Sequence, residues 1–178
     1  MKKFVLALSL MVLLAMVGLS MAAPVIIPLE GTNGYTNSIT MDIPSTISGS
    51  SGAFDTEHVY DVSIKGTTDG ASWTIFAFLK SYDAVRPSDP INVSADTNIQ
   101  YFQSKNMHPV SDTVAKNTNY GLYREQEFGW ADGSYMTVRT FMLDKKHLVF
   151  VMSPFDRITT TKMFDSIVLG TSNGMYQV

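Results

Sequence analysis

The sequence contains no cysteine. That absence excludes a disulfide framework, a thiolate nucleophile, a thiolate metal site and a lipid anchor attached through cysteine. Charge is scarce as well: 16% of residues are charged, with 13 Lys and Arg against 16 Asp and Glu. No basic stripe is present for a polyanion to follow, so nucleic acid is excluded as a partner. The only histidines, His58, His108 and His147, lie far apart and form no zinc-type spacing. No phosphate-cradling Gly loop, dinucleotide fingerprint or nucleophile elbow occurs. Asp83, Asp89 and Asp96 lack the compact spacing and central Gly of a calcium loop. No bound metal and no cofactor is therefore expected.

Long apolar runs are missing except at the N-terminus. Lys2 and Lys3 precede an apolar stretch from Phe4 to about Gly18, followed by the small residues of Ser20-Met21-Ala22. This is the pattern of a secretory signal peptide over residues 1–22, cleaved after Ala22. The alternative is an uncleaved anchor over Phe4–Ala23, which is long enough to span a bilayer. A membrane is a partner only in that case. Cleavage removes two lysines and no acid, which moves the net charge from −3 to −5. A secreted or cell-envelope, extracytoplasmic location follows, and the domain must hold itself together by burial alone.

The remaining chain is rich in alternating segments. Residues 23–37 read as a lead-in, and residues 38–178 as one α+β domain. Ser38–Ile43 alternates, with Ile39, Met41 and Ile43 on one side, and Pro44 ends it. Ser45–Gly52 is Ser/Gly-rich and reads as a flexible loop. Val59–Lys65 alternates with Tyr60, Val62 and Ile64 inward. Asp69-Gly70 then turns the chain into Trp73–Leu79, which is apolar on both faces and so predicts an interior strand. Ser81–Asn92 is a long Pro- and Asp-containing loop. Asn92-Val93-Ser94 forms a glycosylation sequon, relevant only in a host that glycosylates. Ser94 caps a predicted helix over Ala95–Asn106, with Ala95, Ile99 and Phe102 at helical spacing. Met107–Lys116 returns to the sheet. The methionines, Met136, Met142, Met152 and Met163 among them, read as core filler.

The chain is organised around Tyr120–Val168. Tyr120–Phe128 and Ser134–Leu143 flank Trp130-Ala131-Asp132-Gly133, and Asp-Gly between two such runs predicts a hairpin. Pairing Ala131 with Ser134 puts Phe128 opposite Thr137, Gln126 opposite Arg139 and Arg124 opposite Phe141. After Asp144-Lys145-Lys146-His147, a two- or four-residue link puts Leu143 opposite Leu148 and Phe141 opposite Phe150. His147–Met152 is apolar on both faces and predicts a second interior strand. Ser153 then serves as N-cap with Pro154 at the first helical position, unless the poor helix formers Thr159-Thr160-Thr161 delay the start to a cap at Thr159 or Thr160. Phe155, Ile158, Phe164, Ile167 and Val168 form the helical stripe, and Gly170 the stop.

That register places Arg124, Gln126 and Arg139 on one face with Trp130 and Tyr135. A guanidinium buried without a partner is very costly. These five residues are therefore the candidate ligand-binding site, with the arginines forking onto an acidic group and the rings stacking on the rest. The alternative is that the arginines pair with acids of a covering segment, such as Asp156 or Asp165.

The element order, Ile43-Pro44 near its start and the closing Phe164-Asp165-Ser166-Ile167 resemble the PsbP-like family over about residues 38–169. That family shares its fold with a Ran-binding protein family. The resemblance implies an α+β fold, a single antiparallel β-sheet of five to seven strands with helices packed on it in an α/β/α sandwich. It also implies a binding or assembly role, since members are mostly not enzymes. No functional residue of the family maps onto this chain. The expected function is thus a secreted, non-catalytic domain that binds a protein partner or a small acidic ligand. The rivals are a secreted hydrolase whose triad assembles in the fold, and a structural cell-envelope protein.

Overall fold

A computed structural model describes residues 23–30, 36–43, 46–54, 59–68, 71–81, 92, 98–145 and 147–172. The expected signal segment, the 82–91 loop and the proposed cap at Ser94 lie outside them. Among the described residues no helix is long and apolar enough to cross a membrane.

The molecule is mostly β. The strands are β1 (Ala23–Glu30), β2 (Thr36–Ile43), β3 (Thr46–Phe54), β4 (Val59–Thr68), β5 (Ala71–Ser81), β6 (His108–Asn117), β7 (Gly121–Gly129), β8 (Tyr135–Met142), β9 (His147–Ser153) and β10 (Val168–Ser172). Two helical segments are described: α1 over 98–103 and α2 over Arg157–Asp165. Strands β3-β4-β5-β9-β8-β7-β6 form one antiparallel sheet, and β1-β2-β10 form a second, three-stranded one. The expected single sheet in an α/β/α sandwich is therefore incorrect. Three stretches without a strand signal are strands: the lead-in (β1), the Ser/Gly-rich "loop" (β3) and the segment after the last helix (β10). β3 is an edge strand, where low side-chain bulk is tolerated. In β10, Gly170 does not stop a helix. It pairs with Ser38, and a Cβ there would lie 2.5 Å from Ser38 Oγ. A larger residue there would have to turn the Ser38 hydroxyl aside, so the glycine eases the close approach of the two strands.

The two strands with no polar face are interior. β5 lies between β4 and β9, and β9 lies between β5 and β8 with all seven residues buried. One face of the large sheet packs Ile64, Ile75, Phe141 and Val151 against Ile39, Met41 and Ile43 of the small sheet and Met163 and Phe164 of α2. The other face packs Phe128, Val138, Leu148 and Phe150 against Phe102 of α1, with Phe102 and Phe128 stacked at 4.2 Å. Asn106, at φ 60°, ends α1. Its N–H bonds the Gln103 carbonyl and the Met107 N–H bonds the Phe102 carbonyl, which is a Schellman closure.

Both hairpin registers differ by one residue from the expected ones. Trp130 N–H donates to the Ser134 carbonyl at 2.8 Å, so the link is Ala131-Asp132-Gly133 rather than two residues. Gly133 takes φ +86°, the left-handed third position of a three-residue hairpin loop. Consequently Glu125 faces Arg139, Gln126 faces Val138 and Phe128 faces Met136. Leu143 N–H likewise donates to the His147 carbonyl, again a three-residue link. Phe141 then faces Val149, not Phe150.

Helix α2 starts later than Ser153. Asp156 is its N-cap and accepts from Thr159 N–H at 3.0 Å. Those hydrogen bonds, from the Thr159 hydroxyl first, hold the Asp156 carboxyl below its usual range. Ser153 instead bonds Thr160 Oγ1 at 2.8 Å inside the core. The Thr run that weakens the helix in isolation thus supplies its buried anchor.

Candidate ligand-binding site

The residue-by-residue slip inverts the expected site. Side chains alternate across a strand, so moving the register by one exchanges faces. Arg139 now lies with Glu125 and Tyr123 on the face under α2, and Arg124 lies with Gln126 on the opposite face. The five residues do not form one constellation.

Each arginine has an acid. Arg124 Nε donates to Asp112 Oδ1 at 2.9 Å, and Gln126 accepts from the buried Asn98 at 2.8 Å. Arg139 is 1% exposed. Its Nε reaches Glu125 Oε2 at 2.8 Å, and its Nη1 reaches Tyr120 Oη at 2.6 Å and Asp165 Oδ1 at 2.7 Å. Its guanidinium carbon sits 4.1 Å from the centre of the Tyr123 ring. Tyr120 donates onward to the Phe164 carbonyl at 3.1 Å. Burial pushes the Tyr120 hydroxyl up to about 12, against the pull of Arg139. This is the paired alternative, realised with Asp165. It is architecture, since every donor of the guanidinium is directed inward.

The histidines show half of a catalytic arrangement. His147 is 6% exposed, and its Nδ1 lies 2.7 Å from Asp144 Oδ1. Its Nε2 is buried and has no hydrogen-bond partner. Among the described residues no hydroxyl reaches it, so no triad is assembled there. Among those residues no group of three His, Cys, Asp or Glu side chains converges as a metal site.

Trp130 and Tyr135 do share a surface, though not with the arginines first grouped with them. They line a cleft of about 660 Å³ where the β7–β8 turn and the start of β6 meet the N-terminus of α2. Val110 and Ile158 form apolar rims, 49% and 70% exposed. Glu127 lies buried in the floor. Arg157, whose side chain is 67% exposed, forks onto it: Nε to Oε2 at 2.8 Å and Nη2 to Oε1 at 2.7 Å. The Glu127 hydrogen bond raises the Arg157 pKa above its usual value. Glu127, Arg157, Val110 and Ile158 were not legible as a site. One signal existed. Arg157 at the first helical position opposes the helix dipole, and such a residue needs a carboxylate nearby.

Compared with family models, curated proteins and solved structures, the chain matches none.

Proposed function

We propose that this is an exported, non-catalytic binding domain whose ligand enters the cleft between the β7–β8 turn and α2. The observation that carries this reading is the convergence of Val110, Ile158 and Tyr135, which belong to neither core cluster, with Trp130, which packs against the Phe102–Phe128 core, on a charged floor. Exposed apolar side chains and half-buried rings around a few fixed polar groups are the usual composition of a ligand site. The N-terminal export pattern supports the exported location. Purified exported protein should begin at Ala23. For the cleft, the test is an NMR screen of a mixed small-molecule and peptide panel, repeated on Ile158→Asp. Shifts should gather at Val110, Trp130 and Tyr135 and weaken in the variant; shifts gathered on the opposite face, around Tyr101 and Met142, would sink the reading.

The hydrolase reading has one supporting observation, the Asp144–His147 pair with its unpartnered Nε2. It predicts that a serine-directed phosphonate labels the protein and that His147→Ala abolishes labelling.

A further inference from the structure

Two arginines bond carboxylates beneath and beside α2, yet only one is packed. Arg139 is enclosed by rings and acids. Arg157 is a long arm in solvent whose guanidinium alone is fixed, by the two bonds to Glu127. Glu127 is the reverse: a carboxylate with a side chain 6% exposed, at the bottom of an open cleft. Its geometry already satisfies a planar guanidinium with two parallel hydrogen bonds. Trp130 and Tyr135 stand beside it, and Tyr135 lies close enough to Arg157 to act on its charge.

We propose that the cleft receives the guanidinium of an arginine side chain from a partner peptide, with Glu127 as its anion and Arg157 as the internal occupant it displaces. This rests on the cleft being the binding site. The acid is the buried element and the native cation the solvent-exposed one, so the exchange keeps both hydrogen bonds to Glu127. The released Arg157 regains side-chain freedom in water. The incoming stem gains apolar contact with Ile158 and Val110, and its charge gains the faces of the aromatic rings. An acidic ligand has the opposite prospect. It meets Glu127 below and Asp156 at the rim, and among the described residues Arg157 is the one guanidinium lining the cleft, already committed. The whole chain adds a net charge of −3 to that preference.

The experiment is a titration of the full chain with Nα-acetyl-arginine amide, followed by the Trp130 indole resonance, with the citrulline analogue as the uncharged isostere. Arginine should give saturable shifts and citrulline essentially none. Removing the internal occupant in Arg157→Ala should tighten arginine binding about tenfold, because competition from the resident guanidinium is gone. Glu127→Gln should abolish it. Methylguanidinium should raise the melting temperature of Arg157→Ala and leave that of Glu127→Gln unchanged. Should Arg157→Ala fail to fold, Arg157→Lys, which keeps charge but loses the fork, should show a smaller gain in the same direction. Equal binding of citrulline, or no tightening when Arg157 is replaced, would overturn the inference. Shifts at Trp130 with acetyl-tryptophan amide or glucose, and none with arginine, would overturn it while leaving the cleft as the site. No cleft response to any of these probes would overturn both.

Discussion

Helix α2 is fastened at its two ends by the same kind of bond, and the two ends behave as different objects. At the C-terminal end Asp165 meets Arg139, which is 1% exposed and also holds Glu125 and Tyr120. At the N-terminal end Arg157, 67% exposed, meets Glu127 and, among the described residues, no other acid in an ion pair. Both paired charges have the wrong sign for the helix dipole, a cation at the start and an anion at the end, while Lys162 in the last turn has the right one. Both are corrected from the sheet. The difference is solvent. Where the cation is kept from water, the pair fixes the fold and cannot be lent to a ligand. Where water reaches the cation, the same chemistry remains exchangeable.

The largest effect expected from this contrast is at the buried end. Arg139→Ala removes a buried side chain and the cation shared by Tyr120, Glu125 and Asp165, the two acids being 24% and 53% exposed. Because water can reach those carboxylates, the loss should stay below the about 3–5 kcal/mol of a fully buried pair broken from one side, measurable as a lower urea midpoint. A loss no larger than that of Arg157→Ala would erase the distinction between the two ends.

Tyr120 sharpens the same point through pH. Its hydroxyl is raised from 10.0 to about 12, first by burial. A raised value means that the folded state favours the protonated form. The contribution is therefore complete below pH 10 and is lost as pH rises through about 12. It amounts to about 2–3 kcal/mol across that window. Alkaline titration of stability should show this loss in the wild type, and Tyr120→Phe should flatten it. An unchanged slope in the variant would show that Tyr120 is not held as described.

How much of this was readable depends on which interactions were local. The interior strands were legible because Trp73–Leu79 and His147–Met152 have no polar side. Gly133 was legible as a turn, but Asp-Gly fits a two-residue link and the end of a three-residue one equally well. Tyr123-Arg124-Glu125-Gln126-Glu127-Phe128 carries a ring on each face, so hydrophobic alternation could not choose between them. Cross-strand charge could have: the observed register sets Glu125 against Arg139, the expected one set Gln126 there. β10 depended on Ser38, far away in sequence, and nothing local in Val168–Ser172 announces that pairing. The cleft was invisible for the same reason, since Val110, Glu127 and Arg157 meet only once β6, β7 and α2 are assembled.

A smaller effect belongs to the cap of α2. Asp156→Ala should cost about 1 kcal/mol, the usual price of losing an N-cap acceptor. Its carboxyl is held low by Thr159, so the contribution is present above the ordinary carboxylate pKa and is lost as pH falls through the depressed one. The variant should therefore differ most from the wild type near neutrality and converge with it in acid. Asp156→Asn, which keeps an acceptor, should recover most of the loss.

The smallest stability change should come from Arg157→Ala, and its smallness is the point. Arg157 is mostly solvated, so its pair with Glu127 is screened and side-chain entropy opposes it. Glu127 is buried while Arg157 covers it, and an unpaired carboxylate in a sealed core would cost far more. Here, removal of the arm opens the cleft to water, which can solvate Glu127 in place of the guanidinium. Stability should fall only slightly, by less than in Asp156→Ala, and the loss should shrink further in high salt. A drop as large as that at Arg139 would mean that water does not reach Glu127, that the N-terminal fastening is as structural as the C-terminal one, and that the cleft floor cannot exchange its cation.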